Sequence, residues 1–145
     1  MICLIQRVKK AEVLCSSGKR EEIGRGLLVY VGFEGEDNEG ILERCAGKIS
    51  SLRVFEDENG KMNLSVVDIK GEVLLVPNFT LVGDARKGNR PSFDNALKPD
   101  LASVLFERLA KVLSERVPTK TGVFRDSMLV LSENEGPVNI ILRLP

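Results

Sequence analysis

Only two stretches of this chain place apolar residues at helical spacing, and that scarcity constrains the fold more than any other feature of the sequence. Ile41, Leu42, Cys45, Ile49 and Leu52 form the first, and Leu101, Val104, Leu105, Leu109 and Leu113 the second. Residues three and four apart share a helix face, so each stretch predicts a helix with one side turned to the core. Asp37 or Asn38 can cap the first helix, and Pro99 suits the opening turn of the second, read as Asp100 to Arg116. Most of the rest reads as strand. Ile2 to Leu14, Gly26 to Phe33, Arg53 to Phe55, Met62 to Val67, Glu72 to Leu81, Ser127 to Ser132 and Val138 to Leu144 are rich in Ile, Leu and Val and bounded by turn residues. Gly18 and Gly24 punctuate the link between the first two strands, Asn59-Gly60 marks a hairpin, and Glu133 to Pro137 is read as the turn of a final hairpin. Two helices so far apart among so many strands predict an α+β or layered architecture rather than a regularly alternating parallel sheet.

At 145 residues, 43% of them hydrophobic and 29% charged, the chain suits one domain spanning residues 1–145. No apolar run is long enough for a membrane span, and the opening Met1-Ile2-Cys3-Leu4-Ile5-Gln6-Arg7 lacks the pattern of a secretory signal. Cys3, Cys15 and Cys45 have no metal-ligand spacing and cannot all pair, so a reducing, cytoplasmic setting is expected, with no metal and no cofactor. The net charge of zero excludes global basicity, so any contact with phosphate must come from a local patch. Histidine is absent altogether. That removes the usual general base near neutral pH and every Ser-His or Cys-His nucleophilic pair, so a cysteine hydrolase built on Cys3, Cys15 or Cys45 has nothing to activate it.

Three segments can carry chemistry. In Val76-Pro77-Asn78-Phe79-Thr80-Leu81 a proline interrupts an apolar strand. Proline gives no N–H to a ladder, and a broken ladder leaves neighbouring N–H groups, such as those of Phe79 and Thr80, free for a ligand. Asp84 to Phe93 gathers Arg86, Lys87 and Arg90 with a flexible glycine and an aromatic; the cations suit phosphates and Phe93 can stack on a base. Asn134-Glu135-Gly136-Pro137-Val138 reads as a tight turn. Taken singly, the three read as a strand end, a solvated loop and a hairpin.

Together they resemble one family over essentially the whole chain, the D-aminoacyl-tRNA deacylases, historically called D-tyrosyl-tRNA deacylases. The resemblance is carried by Ile5-Gln6-Arg7-Val8, Gly24-Arg25-Gly26-Leu27-Leu28, Arg53-Val54-Phe55-Glu56-Asp57 and Gly60-Lys61-Met62-Asn63-Leu64-Ser65. It continues in Phe79-Thr80-Leu81, Arg86-Lys87-Gly88, Arg90-Pro91-Ser92-Phe93, and Asn134 with Gly136-Pro137-Val138.

The resemblance implies a three-layer β/β/α fold, a homodimer with its active sites at the subunit interface, and hydrolysis of the ester joining a D-amino acid, or glycine, to the acceptor end of tRNA. In the family the Gly-Pro dipeptide is cis and enters the partner's site, where its carbonyls exclude an L side chain. By carry-over Gly136 and Pro137 are that chirality filter and Arg7 braces it. The N–H groups of Phe79 and Thr80 orient the substrate, Thr80 positions rather than attacks, and Arg86, Lys87, Arg90 and Phe93 hold tRNA. The chemistry relies on the 2′-hydroxyl of the terminal adenosine and backbone groups, which accounts for a hydrolase without histidine. Two departures touch the substrate pocket: Pro77-Asn78 stands where the family has Ser-Gln, and Asn139, near Asn134, where it has Thr. A related branch with Pro at the first of these positions has relaxed chirality. The alternative class is a non-catalytic protein that binds RNA 3′ ends through the same cations and Phe93.

Overall fold

The sheet is built around one unusually long strand. The computed structural model describes residues 1–145, and its first strand, β1, runs from Ile2 to Cys15. One edge of β1 is shared by two neighbours and the other is covered by one. On one edge its first half pairs antiparallel with β3 (Gly26–Gly32) and its second half with β2 (Arg20–Ile23). Its other edge pairs antiparallel along almost its full length with the last strand, β8 (Met128–Arg143). Beyond β3 the ladder becomes parallel, to β6 (Glu72–Pro77) and then β7 (Thr119–Thr121). A parallel pair needs a long crossover. The two helices supply it: α1 (Leu42–Ser51) lies between β3 and β6, together with the small hairpin of β4 (Phe55–Glu56) and β5 (Met62–Leu64), and α2 (Pro99–Ser114) between β6 and β7. The architecture is α+β with a mixed sheet, as the spacing of the helices predicts.

Alternation along the central strands divides the interior in two. Leu27, Val29 and Val31 of β3 and Val73 and Leu75 of β6 face Cys45 and Ile49 of α1 and Leu105, Leu109 and Leu113 of α2 in the larger core. Leu28, Leu74 and Val76 point the other way, against Val8, Ala11, Val13 and Cys15 of β1 and Ile23 of β2. Irregular pairing between Gln6 and Val8 and again between Val8 and Ala11 lets β1 bend. Its second half, with β2, therefore folds over the sheet as a further layer, and a Lys120 to Glu22 carbonyl bond at 2.7 Å ties that layer to β7. Helices, central strands and folded-over strands make the three layers. Truncating a side chain as deep as Leu109 should cost roughly 2–5 kcal/mol.

Several elements differ from the sequence expectation. The final pair of strands is one continuous strand, not a hairpin. β8 stays on β1 from Met128 to Arg143, but Gln6 pairs with Asn139 and Val8 with Asn134, so two steps along β1 match five along β8. The turn-forming residues Glu135 to Val138 are extruded as a bulge rather than reversing the chain. β2 and β7 were not expected; Arg20-Glu21-Glu22-Ile23 and Thr119-Lys120-Thr121 are too polar to signal a strand and pair because a neighbour offers an open edge. The strand expected to reach Leu81 stops at Pro77, and residues Phe79–Val82 form a 3-10 turn. Of the two possible caps, Asn38 accepts the Gly40 N–H at 2.9 Å and caps the short 3-10 turn that leads into α1.

Candidate active site

A cavity of about 830 Å³ opens where β3 and β6 end. The ends of these parallel strands form one wall, with Tyr30, Val31, Gly32 and Phe33 from β3 and Val76, Pro77, Asn78 and Phe79 from β6 and its continuation. The start of α2, with Lys98, Pro99 and Ala102, forms a second, and Phe124, Arg125, Asp126, Met128 and Val130 a third. The space is largely apolar with a few polar groups at its edge, the usual character of a small-ligand site. Burial pushes the Tyr30 phenol up from its ordinary range, so it stays neutral and able to donate.

The proline in the central strand has a clear local effect. Pro77 pairs with Val31 as the last residue of the ladder, and the Asn78 N–H takes up the Val31 carbonyl at 2.8 Å. The chain then turns, and the N–H groups of Phe79 and Thr80 come at the start of the 3-10 turn, where a helix has no internal acceptor to offer. Neither finds an acceptor elsewhere in the chain; the neighbouring donor, Leu81 N–H, is used by the Asn78 carbonyl at 3.3 Å. The Thr80 hydroxyl donates to Asn78 Oδ1. A hydroxyl whose proton rests on a neutral amide has no base to take it, so Thr80 offers its N–H and not a nucleophile.

Phe79 is 58% exposed and meets Phe93 edge to face, ring centres 5.1 Å apart. Gly83 makes the contact possible, since a Cβ there would stand 2.8 Å from the Phe93 ring. Phe93 closes the base of a loop in which Asp84 and Ser92 exchange backbone hydrogen bonds of 2.8 and 2.9 Å. Arg86, Lys87 and Arg90 lie exposed on this loop and do not line the cavity. They are not equivalent: Arg86 makes a two-pronged pair with Asp84, through Nε at 2.9 Å and Nη2 at 2.6 Å, and this holds the Asp84 carboxyl down at about 2. Lys87 and Arg90 have no acidic partner.

The remaining predicted residues form a second cluster. Gly136-Pro137 is a cis peptide at the tip of the bulge in β8, and Gly136 has φ +129, where only glycine is at ease. A Cβ on it would stand 2.8 Å from Val138 Cγ2 and 3.1 Å from Arg7 Nη2. Arg7, only 6% exposed, reaches beneath the bulge and donates to the Glu135 carbonyl at 3.1 Å and the Val54 carbonyl at 2.8 Å. Asn134 closes the neck, accepting the Val138 N–H at 3.2 Å and donating to Asn139 Oδ1 at 2.7 Å.

The structure thus brings Pro77, Asn78, Phe79 and Phe93 together at the cavity, but places Arg7, Asn134, Gly136, Pro137 and Asn139 elsewhere. Arg7 pairs with Leu27 near the start of β3, and Pro77 with Val31 near its end. Four residues of strand, roughly 13 Å, separate the two levels. Sequence reasoning missed Tyr30, Lys98, Phe124, Arg125 and Met128, because residues that meet at strand ends from distant parts of a chain share no spacing. The three cysteines are buried and outside the cavity wall; Cys3 Sγ lies 3.7 Å from Cys45 Sγ, and that hydrogen bond with burial pushes the Cys3 thiol well up, leaving it inert. No group of three or more acidic, Cys or His side chains is placed to hold a metal ion, and no helix is long and apolar enough to cross a membrane.

A sequence model of the family described as D-Tyr-tRNA(Tyr) deacylase matches residues 4–143. The chain belongs to the D-aminoacyl-tRNA deacylase family. The D-aminoacyl-tRNA deacylase of Persephonella marina is 50% identical over 142 residues, 98% of this chain and 97% of that protein. The deacylase of Thermotoga petrophila is 50% identical over 143 residues, with 98% and 96% covered. Among solved structures, the c-Myc DNA unwinding element binding protein superposes with a TM-score of 0.93 at 38% identity, covering 100% of this chain and 99% of that one. A probable eukaryotic D-amino acid tRNA deacylase shares the fold, with a TM-score of 0.84 at 18% identity and 97% of each chain covered.

Proposed function

We propose that this member of the deacylase family hydrolyses the ester between a D-amino acid, or glycine, and the 3′ end of tRNA, and that its site is completed by a second copy of the chain. D-Aminoacyl-tRNA deacylase activity follows from membership of the family together with relatives at about 50% identity bearing that name over nearly their whole length. The observation that carries the chemistry is a pair of free N–H groups, on Phe79, which lines a cavity large enough for a nucleoside, and on Thr80, the next residue along the chain.

In this reading the terminal adenosine enters the cavity and the ester carbonyl oxygen meets those two N–H groups. Water adds to the carbonyl carbon, the bond to the ribose 3′-oxygen breaks, and that oxygen takes a proton, leaving free amino acid and tRNA. The developing oxyanion is held by preorganised backbone dipoles, a contribution on the order of 3 kcal/mol per donor. An aminoacyl ester is already reactive, so the adjacent 2′-hydroxyl of the substrate can assist where the protein has no histidine to do so.

The distance between the cavity and Gly136-Pro137 supports the assembly. A loop held by Arg7 at the far end of β3 does not reach the Phe79 of its own chain, so a filter acting on the substrate's α-carbon has to come from a partner. β8 offers the means: its outer edge is unpaired, and Leu129, Leu131 and Ile141 expose 61%, 46% and 64% of their surface beside the projecting bulge. Exposed apolar side chains along an open strand edge mark an interaction surface. Rejection then rests on a clash of the partner's loop with an L side chain, and the D side chain needs no pocket of its own. Pro77, Asn78 and Asn139 are the positions at which strictness departs from the family. Lys87 and Arg90 contact tRNA beyond the terminal nucleotide.

The test is turnover. Incubation with tRNA charged with D-tyrosine, glycine or L-tyrosine should release the first two amino acids and spare the third. Binding of all three with release of none would support the RNA-end binder instead.

A further inference from the structure

We propose that Arg125 grips the phosphate joining the substrate's terminal nucleotide to the rest of the tRNA. The inference rests on the aminoacyl-tRNA reading above and adds a residue to it. With a nucleoside in the cavity and its ester at Phe79 and Thr80, the 5′ phosphate must leave through the mouth. Three charged side chains line the cavity, Lys98, Arg125 and Asp126, and the Arg125 side chain is open to solvent.

Asp126 does not compete for the role or cancel it. Its carboxylate is turned toward the β1–β2 link, accepting from the hydroxyls of Ser16 and Ser17 and from the Ser17 N–H at 3.0 Å, and these bonds lower its pKa. The same bonds tie down the segment that carries Arg125. Gly122 N–H reaches the Leu75 carbonyl at 3.0 Å, Asp126 N–H the Val123 carbonyl at 3.2 Å, and Phe124 packs on Phe106 with ring centres 6.1 Å apart. At the tip of this anchored segment Arg125 has φ 66, a left-handed conformation that residues other than glycine avoid. Such conformations persist where the surroundings enforce them, and they concentrate at sites that act on ligands.

The side chain is held without being used up. Arg125 Nη2 donates to Asp100 Oδ1 at 2.6 Å, in the first turn of α2. One of its five N–H donors is thereby committed. The Arg125 side chain is 57% exposed and that of Asp100 91%, so water and salt screen the pair and little is lost when a phosphate replaces or shares the carboxylate. A guanidinium can bind phosphate with two parallel hydrogen bonds, which fixes its orientation as an ammonium cannot. Lys98 can add charge at the same rim, whereas Lys87 and Arg90, off the cavity wall, are suited to phosphates further along the strand.

The test compares two substrates: D-tyrosyl-tRNA, and D-tyrosine esterified to the 3′-oxygen of adenosine with no 5′ phosphate. Arg125→Gln should raise KM for the tRNA about fivefold with kcat little changed. It should also lower the slope of log(kcat/KM) against log salt by about 0.7, one phosphate contact on a single strand. Hydrolysis of the adenosine ester should not change, and Arg125→Lys should recover most of the KM. Losses of equal size on both substrates, or an unchanged KM for the tRNA, would overturn the proposal and leave Arg125 a structural residue. Wild-type protein that cleaves neither substrate would overturn the aminoacyl-tRNA reading itself.

Discussion

At the scale of the residue, what this chain lacks explains what its backbone must do. Without histidine, and with its cysteines buried and inert, the cavity holds no side-chain nucleophile paired with a base. In the proposed reaction the chemistry falls to the N–H groups of Phe79 and Thr80, which open the 3-10 turn after Pro77 and find no acceptor within the chain. Side chain and backbone at Thr80 can be separated by two substitutions. Thr80→Val removes the hydroxyl and keeps the N–H, and should retain most of kcat. Thr80→Pro removes the N–H at a position in a first helical turn where proline is tolerated, and should lower kcat about 10²- to 10³-fold with the fold intact by circular dichroism. The opposite ranking in a single-turnover assay would make Thr80 the nucleophile. The break at Pro77 was legible in the sequence, because proline gives no N–H to a ladder, but read alone it signalled only a strand end; the roles proposed for Phe79 and Thr80 come from the family resemblance. Arg125 was not legible, since nothing in Val123-Phe124-Arg125-Asp126 signals that the segment faces the ends of two strands far away in the chain.

At the scale of the element, helices and central strands were readable from periodicity and the edges were not. α2 falls within two residues of its expected bounds, because an apolar stripe at helical spacing has one interpretation; α1 ends as expected, but the 3-10 turn Glu39–Ile41 takes the place of its first turn. Glu133 to Pro137 carry every local mark of a turn, yet β8 runs straight on, because β1 continues beside it and pairing resumes on both sides of the bulge. A local signal was overruled by a partner more than a hundred residues away, and the extruded residues became the projecting loop. The loop from Asp84 to Ser92 is an element whose geometry is electrostatic, and its behaviour with pH follows. Arg86 holds the Asp84 carboxyl at about 2, below the ordinary value of about 3.9. A carboxyl depressed in the folded state stabilises that state fully above its ordinary pKa and loses the contribution as pH falls through its folded one. The loop should therefore stay closed at pH 4 and open as pH approaches about 2. The protection of the Ser92 amide, bonded to the Asp84 carbonyl, reports it once its exchange is divided by the rate of an unstructured peptide at the same pH: protection should fall over that window in the wild type, and in Asp84→Asn it should already be low at pH 4.

At the scale of the whole molecule, the α+β architecture separates what the proposed reaction must combine. Phe79 and Thr80 stand beyond the end of β3 and Gly136-Pro137 beside its beginning, so one chain does not bring the cavity and the proposed filter together. The second copy proposed above brings the two together, and a mixed dimer tests that proposal. Gly136→Ala puts a Cβ against Val138 and Arg7 at a φ that only glycine adopts readily, displacing the loop; the variant should hydrolyse L-tyrosyl-tRNA about tenfold faster than wild type. Thr80→Pro silences a cavity. In a dimer of one Thr80→Pro subunit with one Gly136→Ala subunit, a filter that crosses the interface sets the altered loop over the silenced cavity and the intact loop over the working one. Such a dimer should show about half the wild-type activity on D-tyrosyl-tRNA and wild-type rejection of L-tyrosyl-tRNA. Release of L-tyrosine at the rate set by Gly136→Ala would contradict the account, for it would mean that each loop guards the cavity of its own chain.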